Sequence, residues 1–86
     1  MFFVYVLKSQ KDNKFYVGYT HDLRKRFEEH NKGLVSSTRL RKPFVLVYYE
    51  AYANQEDAKE REEMLKRFSE SMVHLRKRIR KSILSK

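Results

Sequence analysis

Three short runs rich in β-branched and aromatic residues constrain this chain most: FFVYVLKS (Phe2–Ser9), FYVGYT (Phe15–Thr20) and FVLVYYEAY (Phe44–Tyr52). Their composition predicts strands. Asp12 and Asn13, in the QKDNK segment after the first run, tolerate tight turns, so the first two runs read as an antiparallel hairpin. Thr20 is the expected N-cap of a first helix, with Asp22 in its positive first turn and Gly33 stopping it after about Lys32. LVSSTRLRK has no clear period and reads as a basic loop. Asn54 is expected to cap a second helix from about Gln55 to Phe68, and a basic helix is expected from about Met72 to Leu84, within a C-terminal segment 71–86. The order is ββαβαα, and the economical arrangement is α+β: a small three-stranded antiparallel sheet flanked by helices.

The chain has 86 residues and no cysteine, which predicts one domain, 1–86, with a thin core and no disulfide or thiolate metal site. MFFVYVLKS is too short for a signal sequence with its cleavage site, and no apolar run approaches the roughly 20 residues a membrane span needs. A cytoplasmic location follows as an expectation. The balance of 20 Lys+Arg against 11 Asp+Glu, net +9, attracts polyanions. Nucleic acid is the expected partner. An anionic membrane fits less well, because no helix has a lipid-anchoring aromatic face.

Strand alternation puts Tyr5 on one face with Phe3 and Leu7, and Tyr16 on one face with Gly18. A glycine inside a strand weakens it unless something must approach the backbone closely. At helical spacing His30 falls within about 40°, and Arg26 about 80°, of the direction marked by Leu23 and Phe27. Arg26 and His30 lie one turn apart, so both can touch one object. Each residue also has a plainer role: tyrosines with surface hydroxyls, or an Arg26–Glu29 pair. In the second helix Glu62 lies at the margin of the apolar side and Arg61 nearer its centre, so periodicity permits Glu62 as an inward carboxylate without selecting it.

Val4–Val6 (VYV), Tyr16–Gly18 (YVG) and a TxxLxxRxxxH pattern from Thr20 to His30 resemble the GIY-YIG nuclease domain. The likeness is to its short stand-alone bacterial members, the excision-repair incision enzyme and a junction-resolving subunit. It continues through TRLRKPFVLVYYE and AKEREEMLKRF. The resemblance implies a catalytic set of Tyr5, Tyr16, Arg26, His30 and Glu62, with Gly18 as the second motif's glycine. Glu62 would hold one Mg²⁺ or Mn²⁺, which suits an ion that keeps several waters. Tyr16 is favoured as the general base with Tyr5 as its partner, and His30 is a rival base. The first motif's Gly-Ile is Phe3-Val4 here, and Lys42 stands where many relatives have arginine.

The implied activity is metal-dependent DNA hydrolysis in repair or recombination at the nucleoid, without a small-molecule cofactor, by a monomer or weak dimer. Gly18 in the second strand, Arg39, Arg41 and Lys42 in the loop, and Arg76, Arg78, Arg80 and Lys81 in the last helix are the candidate nucleic-acid contacts. No base-reading module is visible, so recognition by DNA shape is expected. The alternatives are a catalytically silent nucleic-acid-binding domain and an interaction module using the KEREEMLKRF helix.

Overall fold

The computed structural model describes Met1–Ser85; Lys86, the end of the predicted C-terminal segment, lies outside the described residues. Strands β1 (Phe2–Ser9), β2 (Phe15–Thr20) and β3 (Phe44–Tyr52) form one antiparallel sheet in the order β2-β1-β3. The hairpin turn uses Asn13 at φ 59°, the left-handed region an asparagine tolerates. Ser9 Oγ accepts the Lys11 and Asp12 amides, which closes the turn.

The expected order ββαβαα is observed. Helix α1 (Leu23–Asn31) lies against one face of the sheet, where Tyr5, Leu7 and Phe44 are buried beside Tyr16, Leu23, Phe27 and Leu46. Helices α2 (Gln55–Arg67) and α3 (Ser69–Arg78) cover the other face, where Val4, Val6, Val17 and Val47 meet Ala58, Leu65 and Leu75. The alternation of apolar residues in β1 and β2 therefore feeds two thin cores, one per face.

Three local expectations are corrected. The N-cap of α1 is Asp22, not Thr20: its carboxylate accepts the Lys25 amide, while Thr20 Oγ1 accepts the Asp22 amide and steers the chain into the cap. The C-terminal segment is not one helix from Met72. Helix α3 starts at Ser69 and ends at Arg78, and a short α4 (Arg80–Leu84) follows. The break falls at Ile79, which leaves helical geometry, and Ile79 and Ile83 pack on the core that Leu75 enters. In β3 a bulge opposite Val6 and Leu7 turns Val47 and Tyr48 toward the same side, and Glu50 follows them toward α2. Asn54 caps α2 as its sequence predicts, accepting the Glu56 amide. No described helix is long and apolar enough to cross a membrane.

Candidate active site

The site is built on the α1 face. Tyr5 on the central strand pairs directly with Gly18 on β2, and Leu7 pairs with Tyr16, so the two tyrosines sit diagonally across neighbouring strands with their rings 6.4 Å apart. The Tyr5 ring crosses over Gly18. A Cβ there would overlap its ring and hydroxyl, which is the physical reason for glycine inside this strand.

His30 enters from the last turn of α1 and is completely buried. Its ring lies 5.8 Å from that of Tyr5 and 5.1 Å from that of Tyr16. Asn31 holds this turn in place, because its side-chain amide accepts the Phe44 N–H (2.6 Å) and donates to the Phe44 carbonyl (3.0 Å).

The hydrogen bonds define the histidine's tautomer. Thr38 Oγ1 donates to the Val35 carbonyl (3.4 Å), which leaves its oxygen to accept the proton on His30 Nδ1 at 2.8 Å. Nε2 is then unprotonated and accepts from the Tyr5 hydroxyl at 2.9 Å. Burial, and then the nearby Arg26 charge, push the imidazole down to about 4 against a partial offset from Glu29, so it is neutral at pH 7. Burial is also the main cause that pushes the Tyr5 phenol up to about 12. Arg26 pulls it down, while Tyr16 and Glu62 add to the rise. Tyr5 is thus a proton donor at neutral pH, committed to His30.

Arg26 stands at the rim of this cluster. Its nearest carboxylate is Glu29 at 3.2 Å, the pairing its plainer role anticipates, yet its side chain is 38% exposed and its charge acts on Tyr5. Glu62 arrives from the opposite side of the sheet. Helix α2 packs against β2, the edge strand, and its margin reaches around that edge. Lys66 marks the path: its ammonium is 3.0 Å from a Glu62 carboxylate oxygen and 5.9 Å from the centre of the Tyr16 ring. Glu62 is 21% exposed and bears on Tyr5 electrostatically.

Among the described residues no three His, Cys, Asp or Glu side chains gather as metal ligands. The lone Glu62 carboxylate is a hard oxygen donor, which fits a hydrated Mg²⁺ or Mn²⁺ completed by phosphate oxygens, provided Lys66 moves aside.

The basic residues divide. Arg41 Nε pairs with Asp12 at 2.8 Å, and Arg41 Nη2 donates to the Phe15 carbonyl at 3.5 Å. Arg76 lies over the Phe15 ring, 5.7 Å from its centre, so loop and α3 meet at the start of β2. Arg39 and Lys42 are exposed in and beside the loop's single 3-10 turn. Arg78 lines a different pocket with Tyr48, Glu50 and Arg61, while Arg80 and Lys81 lie on α4, which contacts β3 at the far edge. These last three are not brought to the phenols.

Thr38, Asn31 and Lys66 take part without having been singled out as site residues by the sequence. Thr38 sits in an aperiodic loop, so no spacing could reveal that its hydroxyl meets the His30 ring.

A model of the GIY-YIG catalytic domain matches residues 1–81. The chain belongs to the GIY-YIG family. This membership places it in a nuclease superfamily. Relatives of this GIY-YIG chain are stand-alone proteins: UPF0213 protein CPE1444 of Clostridium perfringens is 41% identical over 70 residues, covering 80% of this chain and 74% of the relative. UPF0213 protein YazA of Bacillus subtilis is 36% identical over 74 residues, 85% of this chain and 74% of the relative. The solution NMR structure of UPF0213 protein BH0048 from Bacillus halodurans superposes with a TM-score of 0.52 at 36% identity, covering 87% of this chain and 85% of that one.

Proposed function

We propose that residues 1–86 act as one metal-dependent DNA endonuclease domain, selective for DNA structure rather than sequence, in repair or recombination in the cytoplasm. The observation that carries this is convergence at one hydroxyl: Tyr5 donates to a buried neutral His30 while Arg26 and Glu62 both act on it electrostatically. A purely architectural tyrosine has no need of that company.

The residues divide the work. Arg26 offers a planar fork of donors to the nonbridging oxygens of the scissile phosphate and neutralises their charge. Among the described residues the Tyr16 oxygen has no hydrogen-bond partner; once its own proton has passed to solvent, the phenolate is the base that holds the attacking water and takes its proton. Tyr5 positions that water from the other side, its own proton directed to His30. Both His30 nitrogens are engaged and the ring is sealed from solvent, which favours a role behind Tyr5 over direct contact with water. Glu62 would hold a Mg²⁺ or Mn²⁺ ion, which when bound supplies Lewis-acid stabilisation of the departing 3′ oxygen.

The decisive experiment incubates the protein with Mg²⁺ or Mn²⁺ and supercoiled or branched DNA. Nicking that requires metal and falls at least a hundredfold in Glu62→Ala and Arg26→Ala is expected, with both variants folded by circular dichroism. Tight binding without nicking, unaffected by those substitutions, would instead establish the silent binder.

A further inference from the structure

A groove of about 400 Å³ runs from Tyr16 along the exposed edge of β2, between that strand and helices α2 and α3. Its floor is apolar, from Phe15, Leu65 and Met72. Its rim is cationic: Lys66 stands beside the Tyr16 ring, and the Arg76 guanidinium lies 5.7 Å from the centre of the Phe15 ring. Arg41 closes the Phe15 end through its contact with the Phe15 carbonyl. None of these contacts is needed to assemble the Tyr5–His30–Thr38 chain, which lies on the other face of the sheet.

We propose that this groove holds an unpaired nucleotide of the strand being cut: Arg76, which lies over the Phe15 ring in the free protein, swings onto the phosphates beside Lys66, and the base takes its place on that ring. The choice of an unpaired nucleotide follows from the floor. Paired DNA presents phosphates and base edges, for which cations alone suffice, whereas an aromatic and aliphatic floor gains only from a base whose face is exposed. The volume lies in the usual range of about 300–1,000 Å³ for small-ligand sites. Continuity with Tyr16 puts the held nucleotide next to the scissile phosphate, so the groove selects strands with single-stranded character. This rests on the nuclease reading for the meaning of the site, but the binding it claims is measurable without cleavage.

The test is fluorescence anisotropy in EDTA with three labelled DNAs: a duplex carrying a single-stranded thymidine arm, the same duplex with an abasic arm, and a fully paired duplex. The wild-type protein is expected to bind the thymidine arm about tenfold more tightly than the abasic arm. Phe15→Leu, which keeps an aliphatic side chain and removes the aromatic face, is expected to erase that difference. Arg76→Gln is expected to weaken binding of the thymidine-armed DNA about fivefold or more and to change duplex binding less than twofold. Arg76 is exposed, so this second variant decides the matter even if Phe15→Leu does not fold. Equal affinity for thymidine and abasic arms, or equal losses on arm and duplex, would overturn the proposal. Arm preference without metal-dependent nicking would leave the groove standing and remove the nuclease, and nicking without arm preference would do the reverse.

Discussion

At Gly18 the missing side chain is what lets the Tyr5 ring cross its neighbouring strand. Gly18→Ala is therefore expected to cost roughly 1–3 kcal/mol in urea denaturation, the usual range for overpacking, and to reduce nicking by displacing the Tyr5 hydroxyl. His30 carries a second prediction. Its folded value of about 4 lies below the ordinary 6.5, so between these values the unfolded chain binds more protons than the folded one. Stability is then fully present above about pH 6.5, falls by roughly 2–3 kcal/mol as pH drops to 4, and levels off below. Urea midpoints measured across this window should show that slope in the wild type and lose it in His30→Gln. The lowered carboxyls of Asp12 and Glu50 lie at the acid end of this window or below it, and cannot imitate a slope near pH 6. Helical spacing in the sequence placed His30 on the buried side, but only the loop folding back to Thr38 made it a fully hydrogen-bonded, neutral ring.

Between elements, β3 and α2 are joined by a polar cluster that spacing alone did not disclose. Glu50 accepts from the Tyr48 hydroxyl at 2.7 Å, from the Tyr52 hydroxyl, and from Arg61 through Nε and Nη2 at 3.0–3.1 Å. The bulge near Val47 makes this geometry possible, because it resets the strand's parity so that Tyr48, Glu50 and Tyr52 face α2. Arg61→Leu leaves Glu50 half-buried without its cation and is expected to cost about 2–3 kcal/mol, less than a fully buried pair. The double variant with Glu50→Gln should recover at least about 1 kcal/mol of this in a double-mutant cycle. Additive losses would show that the pair is uncoupled. The same cluster explains why α2 presents Arg61 toward β3 while Glu62, the next residue, falls toward β2. Periodicity put Glu62 at the margin of the apolar side and Arg61 nearer its centre; packing against two different strands separates them.

Over the whole molecule the charge is uneven in use. Among the described residues Arg26, Arg41, Arg61 and Lys66 form ion pairs, which leaves most of the 20 Lys and Arg without a carboxylate partner. If about six phosphates are neutralised on binding, log K should fall against log salt with a slope near −5. Anisotropy titrations between 50 and 200 mM salt without metal measure this directly. A slope near −1 would mean that the basic residues do not track the backbone. The division of cations between the β2 edge and the α4 side predicts that Arg76 matters more than Arg80 or Lys81 in this measurement.

What the sequence determined by itself was whatever depends on neighbours along the chain. The three strands, the caps at Asn54 and Gly33, the two-faced alternation of β1 and β2, and the motif spacing that marks the family are all set within a few residues or by fixed intervals. Tertiary structure alone decided the contacts that depend on chain closure: Thr38 on His30, the Tyr5 ring over Gly18, and α2 reaching around an edge strand to bring Glu62 toward the phenols. Those partners are separated by loops or by a whole sheet, and no local period specifies where such distant surfaces meet.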